Sequence, residues 1–415
     1  MASSQNPLTS RTNDDDIASA ASDGVFLPWD LLREILVRVP ARPLCRLRAV
    51  CRSWRSLLTD DRFVAAHGAR HPGPHFAVCV AAAGSPRADE VDVKFLDTSG
   101  CVVKRITVVG PSYFATVQPH LGLVLVRLIT RPPLRVLDPA TGAVSFLPDD
   151  DAHRGDPAYR SFVLGRAASA GAYRSFVLGR AASAGGDGEY KVLSVCLSNP
   201  PSLMMRSCKI LTVGGGAWRD VPAPPALVER LATLTFEVAV AKGVVYCLAV
   251  RHPDWRIVAF DLTTEQWRPG LLHGPVPGRK TQQKSLAEVN GCLAAVTRSD
   301  SMMELWFLMG YGEGGQALWS KRCTVLIAPV IQPRHEDLVE LEPLWVMDDG
   351  RVILWVRTRS NMWLDRPSIG ALRMYDPRTE TCTDVADMGK CIEFGVGVYT
   401  GNLLKVERAH GMEEP

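Results

Sequence analysis

Three histidines, His67, His71 and His75, recur every fourth residue, a spacing at which a helix would offer imidazoles to a metal ion from one side. Pro72-Gly73-Pro74 lies between the second and third and breaks any such helix, so no metal set is expected there. His335-Glu336 opens like a zinc-protease helix, but the position of the second histidine is Val339. Neither a G-x-S-x-G elbow nor a phosphate-cradling Walker loop occurs, and Gly214-Gly215-Gly216 reads as a turn between strands. Asp149-Asp150-Asp151 reads as a solvated loop. The eleven cysteines, scattered from Cys45 to Cys391, contain no C-x-x-C pair and read as reduced, buried thiols. No catalytic residue, metal site or cofactor is nominated, so function must come from surfaces and from the elements that carry them.

The chain has 415 residues, enough for two or three domains, with 47% hydrophobic and 22% charged residues as in ordinary globular proteins. A net charge of +3 and a pI near 8.3 argue against a nucleic-acid binder, which concentrates basic charge on one face. No run of about 18 apolar residues suggests a membrane span. The first residues lack a secretory pattern, and no Asn-x-Ser/Thr site occurs, so an intracellular protein of the nucleus or cytoplasm is expected.

Residues 1–24 are polar, carry Asp14-Asp15-Asp16 and are expected to be a disordered lead. The pattern then turns helical over 25–70. Pro28 suits a first turn, and Leu31, Leu32, Ile35, Leu36 and Val39 form one apolar stripe. Pro40 and Pro43 interrupt it, a second short helix carries Leu44 and Leu47, and a third carries Val50, Cys51, Trp54, Leu57 and Leu58. Asp60-Asp61 ends or recaps that helix, and Phe63, Val64 and His67 suggest a further turn or two. A unit of about 40 residues is near the limit for folding alone, so a partner is expected to complete its core.

From residue 76 to 406 the period changes to two, and many short strands without a long helix indicate an all-β architecture, followed by a polar tail at 407–415. Leu137-Asp138-Pro139-Ala140-Thr141-Gly142 is echoed by Phe260-Asp261-Leu262-Thr263-Thr264-Glu265 and by Tyr375-Asp376-Pro377-Arg378-Thr379-Glu380. Each reads as a strand end, a turn stabilised by short polar side chains and an outgoing strand. Trp218, Trp267 and Trp319 recur about every 50 residues, the length of a four-stranded kelch-like propeller blade. The expected fold is therefore a small three-helix unit followed by an all-β kelch-like propeller of roughly six to eight antiparallel blades. Ala158–Gly171 is repeated without change as Ala172–Gly185, and only one copy is needed to pair with Tyr190–Leu197. The second copy, joined by the shorter loop, is expected to pair.

The helical segment resembles the F-box family through Leu27-Pro28, Leu31-Leu32, Glu34-Ile35-Leu36, Arg38-Val39-Pro40, Leu44, Arg46-Leu47-Arg48, Val50 through Leu57, Asp61-Arg62-Phe63 and His67. Pro43 departs from the serine common in the family, at a helix start where it is tolerated. Plant members commonly join this segment to an F-box-associated or kelch-like β domain. The resemblance implies docking onto a Skp-family adaptor, and through it onto cullin and RING subunits, with the β domain choosing an unknown protein substrate. Carried over by position, Leu27, Pro28, Leu31, Ile35, Leu36, Val39, Pro40, Leu44, Leu47, Val50, Cys51 and Trp54 would form the docking surface. Any one of them could equally be internal core. Seven arginines from Arg33 to Arg55 could steer the segment onto an acidic adaptor, or simply be a solvated face. The chain would then be a non-catalytic adaptor. The alternatives are an F-box scaffold outside a cullin ligase, or a propeller enzyme acting on a sugar or small molecule.

Overall fold

The computed structural model describes residues 28–39, 41–71, 73–81, 90–109, 115–128, 134–148, 173–182, 188–197, 205–222, 238–248, 255–275, 283–312, 315–331, 338–359, 369–390 and 396–404. His335-Glu336, Asp149-Asp150-Asp151, Leu27 and Pro40 lie outside them, as do the first 27 residues and the tail from 405.

Four helices come first: α1 (Trp29–Leu36), α2 (Ala41–Leu47), α3 (Arg52–Thr59) and α4 (Asp61–Arg70). The fourth exceeds the expected three-helix unit with its extra turn or two. Its cause is local, because the Asp60 Oδ1 accepts hydrogen bonds from the amides of Arg62 and Phe63, both at 3.0 Å, and so caps a new helix. Pro43 occupies the first turn of α2, where a missing N–H costs no intrahelical bond.

The strands then form six four-stranded antiparallel sheets among the described residues. The first combines β24 (Val396–Tyr399), β1 (His75–Ala81), β2 (Glu90–Leu96) and β3 (Val102–Val109). The second holds β4 (Ala115–His120), β5 (Leu123–Leu128), β6 (Arg135–Leu137) and β7 (Val144–Phe146). The third holds β8 (Tyr173–Arg180), β9 (Tyr190–Leu197), β10 (Met205–Thr212) and β11 (Arg219–Val221). The fourth holds β12 (Val238–Ala241), β13 (Val244–Leu248), β14 (Ile257–Asp261) and β15 (Gln266–Trp267). The fifth holds β16 (Gln283–Val289), β17 (Cys292–Arg298), β18 (Met302–Tyr311) and β19 (Ala317–Leu326). The short helix α5 (Ile327–Val330) leads to the sixth, of β20 (Leu338–Val346), β21 (Val352–Arg359), β22 (Ile369–Asp376) and β23 (Thr381–Lys390).

The inner strands β24, β4, β8, β12, β16 and β20 each neighbour the next, and β20 returns to β24, so the six blades close into a ring. Closure is made by pairing the last strand to the first, with His75 opposite Tyr399 and Val78 opposite Val396. The closed ring leaves neither the first nor the sixth blade with a bare face, because the two pack on each other.

A hydrophobic core lies between each pair of neighbouring blades. In β13, Val244, Tyr246 and Leu248 face the fifth blade while Val245 and Cys247 face the third. Both faces of such a strand are buried, which is why it reads as an unbroken apolar run.

The repeated Asp turns join third to fourth strands. Asp138 Oδ1 accepts from the Ala140 amide at 2.8 Å, Asp261 Oδ1 from Thr263 at 2.9 Å and Asp376 Oδ1 from Arg378 at 2.8 Å. The fifth residue of each turn is left-handed, with φ of 82° at Gly142 and 55° at Glu265 and Glu380. The recurrent tryptophans stitch blades at the rim. The Nε1 of Trp218 donates to Pro148 O at 2.8 Å, that of Trp267 to Pro222 O at 2.9 Å and that of Trp319 to His273 O at 2.8 Å. Each reaches back from one blade to the segment leaving the outer strand of the blade before.

Strand β4, which includes Pro119, was not expected from the sequence, because proline demotes a strand signal. The duplicated segment resolves as expected: Tyr173–Arg180, from the second copy, pairs with Tyr190–Leu197, and the first copy lies outside the described residues. Deleting Ala158–Gly171 should therefore shift the melting temperature by less than about 2 °C. A fall of many degrees in a thermal scan would show that the first copy is structural.

Because neighbouring strands are antiparallel, turns joining first to second and third to fourth strands lie on one face of the ring. The other connections join strand ends on the opposite face. The first kind are short, such as Asn290-Gly291 between β16 and β17, whereas the longest of the second kind spans 147–172.

Candidate docking surface

The stripe foreseen on α1 divides in two. Each residue advances 100° around a helix, so Leu32 and Leu36 form one row and Leu31 and Ile35 another. Leu36 is buried and Leu32 packs on the same core, with Leu44, Leu58, Phe63 and Val64. Leu31 is 53% exposed and Ile35 46%.

Of the residues expected to dock a partner, Pro28, Leu31, Ile35, Val50 and Cys51 are exposed and Val39, Leu47 and Trp54 are half-buried. Leu36 and Leu44 are internal, at 3% and 0% exposure, and cannot touch a partner without unpacking this core. Leu27 and Pro40 fall outside the described residues. Trp29, not foreseen, is also half-exposed, on the other side of α1 from Leu31 and Ile35. Its position just before the apolar stripe was the available signal.

On the side of α1 opposite Leu31 and Ile35, a shallow groove runs between α1 and α3, lined by Trp29, Arg33, Arg52, Ser53, Ser56 and Leu57, with Asp60 and Arg62 at its end. Three arginines against one aspartate make it basic. Arg38 pairs with Glu34 one helical turn away at 3.4 Å, both exposed. Arg48 is different: it lies inward, where burial lowers its pKa, and Nη2 donates to Leu58 O at 3.1 Å and also to Leu404 O.

A family model described as the F-box domain matches residues 26–65, and one described as the F-box associated beta propeller domain matches residues 186–389. This chain is an F-box protein. An F-box/kelch-repeat protein of Arabidopsis thaliana is 24% identical over 338 residues, covering 79% of this chain and 84% of that protein. Another Arabidopsis thaliana F-box protein is 56% identical, but over 43 residues, 10% of this chain and 12% of its own length. Among solved structures, TolB from Acinetobacter baumannii overlaps 81% of this chain and 69% of its own at 11% identity, with a TM-score of 0.43. That overlap is too loose to bear on function.

The F-box helices rest on the short-turn face, over the first and second blades. Ala41 of α2 packs on the core between these blades. Lys104 of β3 donates from Nζ to Ala140 O at 2.9 Å, and lies 3.9 Å from the Cys45 sulfur of α2.

The histidines of the F-box end serve structure. The Nε2 of His67 donates to Val39 O at 3.0 Å, and that of His71 to Val37 O at 3.1 Å, so α4 caps the end of α1. Their rings lie 4.3 Å apart, and burial lowers the pKa of His67. Among the described residues no group of three or more histidine, cysteine or acidic side chains could hold a metal.

Proposed function

We propose that this F-box protein is the substrate-selecting, non-catalytic subunit of a Skp–cullin–F-box ubiquitin ligase, with an F-box at 25–70 and a propeller at 76–406. The exposure of Leu31 and Ile35 carries the reading, because the helical unit keeps its own core elsewhere and still presents an apolar row. A Skp-family adaptor would cover that row, and Pro28, Val50 and Cys51 are further exposed positions it could reach. The arginines would raise the rate of encounter with an acidic adaptor.

Leu36 and Leu44 would then act from inside, by holding α1 and α2 in place. The propeller would select a protein substrate through the strand ends facing away from the F-box, where the longer connections begin. Holding that substrate beside an activated ubiquitin raises the effective concentration of its lysines and requires no catalytic group here.

Co-purification with a Skp-family adaptor and cullin tests this. The wild type should recover both, and Leu31→Asp/Ile35→Asp should lower adaptor binding at least tenfold, by placing two unpaired charges in an apolar contact, while the thermal transition stays put. Equal recovery by wild type and variant would refute the surface. A folded wild type that recovers the adaptor without cullin would favour the scaffold reading instead.

A further inference from the structure

The F-box core contains one residue from the far end of the chain. Leu404 is fully buried among Leu36, Leu44, Leu58, Phe63 and Val64, although more than three hundred residues separate it from them. It follows the ring-closing strand β24 by five residues.

The last four of those five residues are held in turn. Gly401 turns the chain where a Cβ would lie 2.5 Å from Leu121 O and 2.6 Å from the Tyr399 ring, so a side chain has no room. Asn402 Nδ2 donates to Val64 O in α4 at 2.9 Å, and its Oδ1 accepts from the Leu404 amide at 2.9 Å. Leu403 enters the core between the first and second blades, while its carbonyl lies 3.7 Å from the Cys45 sulfur of α2. Arg48 of the F-box donates to the carbonyl of Leu404.

We propose that this C-terminal hook makes the F-box conditional on a closed propeller: β24 must pair with β1 before Leu404 can complete the helical core. The small helical unit is then completed from its own chain, by a segment that reaches it only when the ring is shut. An F-box protein whose propeller is truncated or open would present a loosened F-box and would not carry a substrate-blind surface to the adaptor. The functional consequence rests on the docking reading above; the structural coupling does not.

Hydrogen exchange on the full chain tests the coupling without any partner. In Leu404→Asp, amides of α2 to α4 should exchange at least about thirtyfold faster, the low end for emptying a buried leucine site, while β13 and β17 keep their protection. Leu404→Met should stay near wild type. Val396→Ala, in the closing strand and packed against the sixth blade, should also speed exchange in the helices severalfold, which a purely local role for Leu404 would not produce. Unchanged exchange in the helices of Leu404→Asp, or of Val396→Ala, would overturn the proposal. So would uniform loosening of helices and β17 alike. If Leu404→Asp does not fold, Asn402→Ala gives the same reading at smaller amplitude. Adaptor affinity should fall in parallel by about tenfold in Leu404→Asp. A wild type that binds no adaptor would refute the docking reading and leave the exchange result to decide this one.

Discussion

Tyr399→Ala should lower the unfolding free energy by about 3–5 kcal/mol, the range for emptying the site of a large buried aromatic. Tyr399 is fully buried in the closing strand, with the Phe95 ring 5.4 Å away at 70°. Its hydroxyl donates to Gly122 O of the second blade at 3.4 Å. One side chain thus ties the closing strand to two blades, and its loss should open the ring where the termini meet. Urea titration followed by tryptophan fluorescence gives the measurement, with the half-exposed Leu318→Ala as a control expected within about 0.5 kcal/mol of wild type. A loss below about 1 kcal/mol for Tyr399→Ala would mean that closure is carried elsewhere.

The second large effect is a sensitivity to acid held at single histidines. Burial lowers His75 and His120 to about 4, from an ordinary 6.5. For His75, Asp97 opposes that fall while His67 and His71 add to it; for His120, Arg180 adds to it. Among the described residues, neither His75 Nδ1 nor His120 Nε2, both buried atoms, has a hydrogen-bond partner.

The unfolded chain takes up each proton as pH falls through 6.5, whereas the folded chain refuses it until about 4. Stability from these groups is therefore complete above pH 6.5 and declines between 6.5 and 4. At pH 5 the loss is about 2 kcal/mol per histidine. Glu342, on the innermost strand of the sixth blade, runs the other way: desolvation, with Glu340 adding and Arg357 opposing, pushes it up to about 7. The reading is accordingly the difference between wild type and His120→Gln. Wild type should lose about 2 kcal/mol relative to the variant between pH 7.5 and 5. A difference that does not change with pH would show that His120 takes its proton while folded.

Much of this molecule could be read from local pattern. Strand β14 was foreseen at Ile257–Asp261 and β24 at Val396–Tyr399, because branched and aromatic residues bounded by turn formers act through their nearest neighbours. The Asp turns and the tryptophan spacing announced a repeating blade for the same reason, since each turn is closed by bonds within a few residues. The F-box motif was equally legible, being a contiguous run.

What pattern could not decide was which side of an apolar residue meets protein and which meets water. Leu31 and Leu36 are equally apolar and belong to one stripe, yet one is exposed and the other internal. That depends on where α2, α3 and α4 pack. The number of blades is likewise set by ring closure, a condition on all six sheets together rather than on any one of them. The place of Leu404 in the helical core is the extreme case. Its sequence neighbours say nothing of Leu58 or Phe63, and only a chain folded through the whole ring brings its last described residue back to its first helices.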